Sequence, residues 1–220
     1  MTSQKIPFHS PDGQKLLAQS DTTHQPHLIK LFKKQIGAKT CGIQSAALLL
    51  SARHLGNHGN TSPDNPSEHD DTNLPYTETN MFSYKETNHV IVKKVLEQSG
   101  CSLNQLHSLF ISHGFKASIH HSDAITVETF RSTASKALSH TDSKCGVIVN
   151  YVLAALGQDV NGKGHFSPLA GYNQSKDMFL LLDTWWNTQD VWVKTEFLYE
   201  AMCTVDSASG KARGFIILEQ

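Results

Sequence analysis

The stretch Gln35-Ile36-Gly37-Ala38-Lys39-Thr40-Cys41-Gly42-Ile43-Gln44-Ser45-Ala46-Ala47-Leu48-Leu49-Leu50 sets a glutamine and a short polar loop ahead of a cysteine, and the chain then stays nearly all apolar or small to Leu55. No proline interrupts that run, so it predicts a buried helix over 41–55 with Cys41 in its first turn. Unpaired N–H groups and the helix dipole favour negative charge there, and a thiol attacks well only as a thiolate. Cys41 is therefore a candidate nucleophile. Gln35, six positions earlier, is near enough for its side-chain amide to join the Cys41 N–H around a developing oxyanion.

Two downstream residues complete the arrangement. His165 follows the turn signal Gly162-Lys163-Gly164 and opens an apolar strand, a position from which an imidazole can exchange a proton with a thiol. Asp183 ends the next apolar strand, so a short hairpin can bring its carboxylate beside His165 to orient the ring. Taken singly, Cys41 reads equally as a structural thiol, Asp183 as a strand-end charge and Gln35 as a loop amide. The order Gln, Cys, His, Asp carries the reading.

Composition narrows the partners. Lys+Arg 19 against Asp+Glu 20 gives a formal charge of −1, which offers no general attraction for nucleic acid or an anionic membrane. The 13 histidines are scattered without metal-ligand spacing. Cys41, Cys101, Cys145 and Cys203 include no Cys-x-x-Cys pair, so reduced thiols are expected and neither a zinc site nor a disulfide framework. Met1 to Gln14 has no signal-peptide pattern, and no run approaches the roughly 18 apolar residues of a membrane span. A cytoplasmic protein is expected, with signal-less export left open.

The chain divides by character. Helices are predicted over 14–20, 28–34, 89–98, 103–113, 127–139 and 195–202, with Gly100 and Gly114 as stops. Strands are predicted over 147–151, 165–172, 178–183 and 214–218 from their β-branched and aromatic content. The segment 56–71, rich in Gly, Asn, Pro, Ser and Asp, reads as a surface loop. The fold class expected is α+β: one domain over 1–220, with a helical lobe over about 1–140, a mostly antiparallel sheet lobe over about 141–220, and the active site in the cleft between them.

These segments resemble the phytochelatin synthases, papain-fold transpeptidases acting on glutathione, and the short prokaryotic members most. The resemblance rests on Gln35 to Leu50, Pro75 to Phe82 (PYTETNMF), Leu103 to Leu106, His165 to Tyr172 (HFSPLAGY), Asp177 to Asp183 and Val205 through Phe215. It implies a papain-like fold with Cys41 as nucleophile, His165 as general acid/base, Asp183 as orienting acid and Gln35 as oxyanion donor. It also implies a route: attack on the Cys–Gly carbonyl of glutathione, loss of glycine, and transfer of the γ-glutamylcysteinyl thioester to glutathione or water. By the same resemblance Asp206 and Arg213 hold the substrate's α-amine and α-carboxylate, and Gly164 leaves room for the acyl chain.

No tightly bound cofactor or protein metal site is implied; Cd2+ or Zn2+ enters as a glutathione thiolate complex. The expected partners are glutathione and metal–glutathione complexes, with a homodimer left open. The cysteine-rich extension of plant relatives has no counterpart here, so metal sensing tied to it is not expected. Two departures bear on the second glutathione. Relatives carry an arginine and a Tyr-Pro-Pro-like stretch where this chain has Thr184-Trp185-Trp186-Asn187-Thr188-Gln189, and many carry a basic residue where it has Val152-Leu153-Ala154-Ala155. Both imply a weaker site for an anionic acceptor, so hydrolysis is expected to exceed polymerisation. The competing readings are a papain-fold protease or deamidase acting on proteins, and a non-catalytic metal-binding protein using the histidines of 54–69.

Overall fold

The computed structural model describes residues 4–20, 22–58, 74–157 and 164–219. A seven-stranded sheet runs through its centre. Its strands are β1 (Lys5–Pro7), β2 (Ala117–His121), β3 (Gly146–Val152), β4 (Gly164–Asn173), β5 (Met178–Leu181), β6 (Val191–Lys194) and, after the small hairpin β7 (Val205–Asp206) and β8 (Lys211–Ala212), β9 (Gly214–Leu218). Their order is β1-β6-β5-β4-β3-β9-β2, and every pairing is antiparallel. The expected α+β class is what the chain adopts.

Alternation along the strands sorts the core into two layers. Ile148, Phe166, Ala170, Leu180, Trp192, Ile216 and Leu218 face one way, and Val147, Val149, Leu169, Phe179, Leu181, Phe215 and Ile217 the other. Both faces are covered, which is why the strands read as continuous apolar runs.

Helix α1 (Pro11–Ala18) starts with Pro11 behind the capping Ser10, and α2 (Pro26–Leu31) also starts with proline. The central α3 (Cys41–His58) packs on α2 and β4. Ile43, Ala46, Ala47, Leu49, Leu50 and Ala52 of α3 are all buried, so apolar side chains surround it on every side. The helix reaches His58 rather than stopping at 55, and residues 59–71 of the predicted loop lie outside the described residues.

The helix predicted over 89–98 is two helices, α4 (Lys85–Val90) and α5 (Lys93–Ser99). The β-branched run Val90-Ile91-Val92 breaks it: Ile91 is extended and buried in the core instead of continuing the turn. Helix α6 (Leu103–Ser112) opens with a full capping box from Ser102 and Gln105. Helices α7 (Val127–Leu138) and α8 (Thr195–Met202) cover the second face of the sheet. Gly100 and Gly114 take positive φ after α5 and α6, as the predicted stops require. Both edge strands, β1 and β2, come from the first 140 residues, so the sheet draws on the whole chain.

Candidate active site

Cys41 stands in the first turn of α3, half-buried, and hydrogen-bonds His165 at the head of β4. Burial alone pushes the thiol up. The charge and hydrogen bond of His165, with the backbone N–H groups of Phe166 and Gly42, outweigh it and leave Cys41 below its ordinary 9. Burial likewise pulls His165 down, but Cys41 and Asp183 raise it to about 9. The two shifts act together to favour the thiolate–imidazolium form of the pair.

Asp183 is fully buried beyond the end of β5 and accepts from His165 Nε2 through Oδ1 at 3.0 Å. Burial would raise its carboxyl, but the hydrogen bond and charge of His165 and the N–H of Trp185 hold it below its usual range. Cys41, His165 and Asp183 are therefore assembled in the order the sequence reading required, with the cysteine on a helix and the histidine on the opposing sheet.

A second ring of residues, none of them assigned this holding role from the sequence, surrounds these three. Tyr151 lies opposite His165 in the β3–β4 register and donates its hydroxyl to Asp183 Oδ2 at 3.0 Å, while Ser167 Oγ is 3.0 Å from the same hydroxyl. Thr184 Oγ1 is 3.2 Å from His165 Nε2 and donates to Phe166 O and Gln35 Oε1. Lys34 Nζ donates to Asp183 O at 2.6 Å and to Asp190 Oδ1 at 2.9 Å, and Asp190 Oδ1 also accepts the Asp183 N–H at 3.0 Å. Trp185 stands edge-on to His165, with ring centres 6.3 Å apart, and stacks on Trp186 at 4.1 Å. The signals available were weak: Tyr151 looked like one more core aromatic, and Lys34 and Asp190 like ordinary surface charges.

Gln35 is buried beside the triad. Its N–H donates to Thr184 O at 2.8 Å, its Oε1 accepts from Thr184 Oγ1, and its Nε2 donates to Gly37 O at 2.7 Å. One amide proton of Nε2 is thereby engaged, and the other has no hydrogen-bond partner among the described residues.

Gly164, Asp206 and Arg213 form a second cluster. Arg213 is 5 % exposed. Its Nη1 donates to Thr204 Oγ1 and Val205 O, and its Nη2 lies 4.0 Å from Asp206 Oδ1. Its Nε is buried without a hydrogen-bond partner among the described residues. A Cβ at Gly164 would sit 2.8 Å from both Nε and Nη2, so the unsatisfied edge of the guanidinium passes over a place that only glycine leaves open. Asp206 also accepts from Ala208 N and Ser209 Oγ, so it makes the turn expected of a bare loop as well.

Asn150 is another residue missed in the sequence. It pairs with Phe166 on one side and Gly214 on the other, one position from Tyr151, and its buried Oδ1 has no partner among the described residues. None of the four cysteines forms a disulfide. Cys101 lies near Cys41: its Sγ is 2.5 Å from where a Gly42 Cβ would stand, and burial with the neighbouring charge of Cys41 raises its pKa and favours the protonated thiol.

The sequence model of the family described as phytochelatin synthase matches residues 1–215. The chain belongs to the phytochelatin synthase family. Among curated relatives, glutathione gamma-glutamylcysteinyltransferase 1 of Arabidopsis thaliana is 28 % identical over 194 residues, covering 88 % of this chain and 36 % of the relative. The transferase numbered 3 of Lotus japonicus is 28 % identical over 220 residues, covering 98 % and 42 %. The chain thus spans less than half the length of these phytochelatin synthase relatives. A solved C39-like peptidase from Bacillus anthracis aligns with a TM-score of 0.46 and 15 % identity over 86 % of this chain and 94 % of its own. No helix among the described residues is long and apolar enough to cross a membrane.

Proposed function

We propose that this phytochelatin synthase homologue is a cysteine acyltransferase whose substrate is glutathione. The Cys41 thiolate attacks the Cys–Gly carbonyl, and Gln35 Nε2 with the Cys41 N–H receives the oxyanion. His165 gives its proton to the departing amine of glycine, the C–N bond breaks, and a γ-glutamylcysteinyl thioester remains on Cys41. A water or the amine of a second glutathione then attacks, losing a proton to His165, and the thiolate leaves. Asp183 orients His165 throughout.

The observation that carries this reading is the buried, unpartnered Nε of Arg213 beside Gly164, with Asp206 next to the same guanidinium. A γ-glutamyl group carries a free α-carboxylate and α-amine on one carbon, and a guanidinium fork beside a carboxylate complements that pair. A protease acting on internal peptide bonds has no use for such a clamp. Glycine release from glutathione by the wild type and its absence in Cys41→Ala is the test; retained release in the variant rules the reading out.

Water is proposed as the principal acceptor. The stacked Trp185 and Trp186 make the wall beside His165 aromatic where relatives carry cations, and Lys34 is committed to Asp183, Thr188 and Asp190. Cd2+ or Zn2+ enters as substrate, complexed to glutathione; no group of three or more His, Cys, Asp or Glu among the described residues is placed to hold a metal ion. Product analysis with glutathione and cadmium should give mainly γ-glutamylcysteine and glycine. A preponderance of oligomers would reverse the ranking.

A further inference from the structure

The loop that carries Gln35 is held from behind by a carboxylate outside the triad. Glu78 is buried, and its Oε2 accepts the Ile36 N–H at 2.7 Å while Oε1 accepts the Gly37 N–H at 2.8 Å. Thr40 Oγ1 lies 2.6 Å from the same Oε1 and 2.8 Å from Gly37 O. One carboxylate therefore binds three groups in the five residues between the oxyanion donor and the nucleophile. Charge-assisted bonds of this kind are roughly twice as strong as neutral ones.

Glu78 is itself rigidly presented. Thr77 N–H donates to Asn80 Oδ1 and Asn80 N–H to Thr77 Oγ1, closing a reciprocal turn with Glu78 inside it. Met81, which follows, is fully buried in the main core and donates its N–H to Thr77 O. From the core outward the chain of contacts runs Met81, the 77–80 turn, Glu78, the Ile36–Gly37 peptide, and finally Gly37 O, which accepts from Gln35 Nε2.

We infer that Glu78 is a positioning residue for the oxyanion hole: by fixing the Ile36–Gly37 peptide it aims the Gln35 amide at the carbonyl under attack. The inference rests on the proposed acyl-transfer reading and concerns its geometry, not its substrate. Without Glu78, two backbone N–H groups lose their acceptor, the peptide is free to rotate, and Gly37 O no longer holds Nε2 in one direction. Removing an oxyanion donor outright lowers the rate by about 10²–10³, so misaiming it should cost about 10 to 100-fold in kcat.

The test uses the full chain and two acyl donors, glutathione and p-nitrophenyl acetate, the second needing the thiolate and oxyanion hole but no γ-glutamyl clamp. Glu78→Ala is expected to lower kcat about 10 to 100-fold on both, with KM for glutathione and Cys41 alkylation by iodoacetamide within about twofold of wild type. Glu78→Gln keeps the size but turns an amide NH2 toward one of the two N–H donors, so a smaller loss of the same pattern is expected, and this variant decides the matter if the alanine variant does not fold. In a Gln35→Ala background the Glu78 substitutions should have no further effect on kcat, a coupling that a merely structural residue does not produce.

Unchanged kcat, additive losses in the double variant, or alkylation falling in step with turnover overturn the inference. Wild type active on the ester but silent on glutathione rejects the substrate reading alone, since Glu78 is then scored on the ester. Failure to acylate Cys41 with either donor overturns both.

Discussion

One methyl group at Gly164 tests the acyl clamp. Gly164 does not use positive φ, so Gly164→Ala asks nothing unusual of the backbone. Its Cβ would stand 2.8 Å from Arg213 Nε and Nη2 and 3.2 Å from Cζ. The guanidinium is anchored by Nη1 to Thr204 Oγ1 at 3.0 Å and to Val205 O at 2.6 Å, so it cannot swing clear without giving up both bonds. The methyl falls on the Nε and Nη2 side of the guanidinium, where the proposed carboxylate would bind. A hydrogen bond to a charged group contributes about 1.5–3 kcal/mol net, and about 1.4 kcal/mol is a factor of ten. Loss of one such bond therefore predicts a fall of about 10 to 100-fold in kcat/KM for glutathione, expressed chiefly in KM.

The assay is glycine release across glutathione concentrations, read beside iodoacetamide alkylation of Cys41 and a melting curve. Alkylation should stay near wild type, because Cys41, His165 and Asp183 keep their side chains, whereas the melting temperature should fall modestly as the buried guanidinium gives way to the methyl. Arg213→Lys, which keeps the charge but loses the planar fork, should reproduce much of the effect. A Gly164→Ala enzyme with wild-type kcat/KM would show that no carboxylate docks there, and the glutathione reading would lose its principal support.

Three further outcomes are expected. Cys41 should reach its alkylation plateau at a lower pH than an ordinary thiol, because His165 lowers its pKa from 9; Asp183→Asn, by letting the His165 pKa fall from about 9, should narrow that window from the alkaline side and raise the thiol, and an unchanged pH–rate profile would count against Asp183 holding His165. Asn150→Leu removes a buried oxygen that has no partner among the described residues, so it should raise the melting temperature by about 2–4 °C per kcal/mol gained; a lowered melting temperature would mean that the amide makes a stabilising contact. Tyr151→Phe deletes the hydroxyl donated to Asp183 Oδ2, so a stability loss of about 1.5–3 kcal/mol and a drop in kcat of less than about tenfold should appear in denaturant titration and steady-state kinetics.

What could be read from the sequence was what is local. Helix α3 announced itself because an apolar run of that length has nowhere to go but the interior, and β3, β4, β5 and β9 because strands buried on both faces need Val, Ile, Leu and Phe at successive positions. Strand β2 escaped because Ser118, His120 and His121 interrupt its apolar character, and β1 and β6 because three- and four-residue strands take their conformation from their neighbours. The same division holds in the site. Cys41, His165 and Asp183 each mark the start or end of an element, which places them at the rim where a cleft must be. Lys34 and Asp190 are 156 positions apart and Glu78 lies 41 from Gly37, so their pairing is decided by tertiary register, and no local pattern expresses it.

That register explains why Cys41 and His165 meet at all. A single hydrogen bond between a helix-borne thiol and a strand-borne imidazole could not hold two layers in register against side-chain motion. The layers are joined instead by residues next to the chemistry. Lys34 is fastened to Asp183 O, Thr188 O and Asp190, the backbone of Gln35 to Thr184 O, and the Gln35 side chain to Thr184 Oγ1. The segment entering α3 is thus stitched to the segment leaving β5 by two consecutive residues on each side. Asp183 belongs to both the stitch and the triad: its carbonyl and N–H hold Lys34 and Asp190 while its carboxylate holds His165. The environment pushes the two aspartates apart in acidity, since burial raises Asp190 whereas His165 and the Trp185 N–H keep Asp183 low. Charge is therefore favoured on the carboxylate that faces the imidazole, and a shift of the 183–190 segment disturbs Cys41, His165 and Gln35 together.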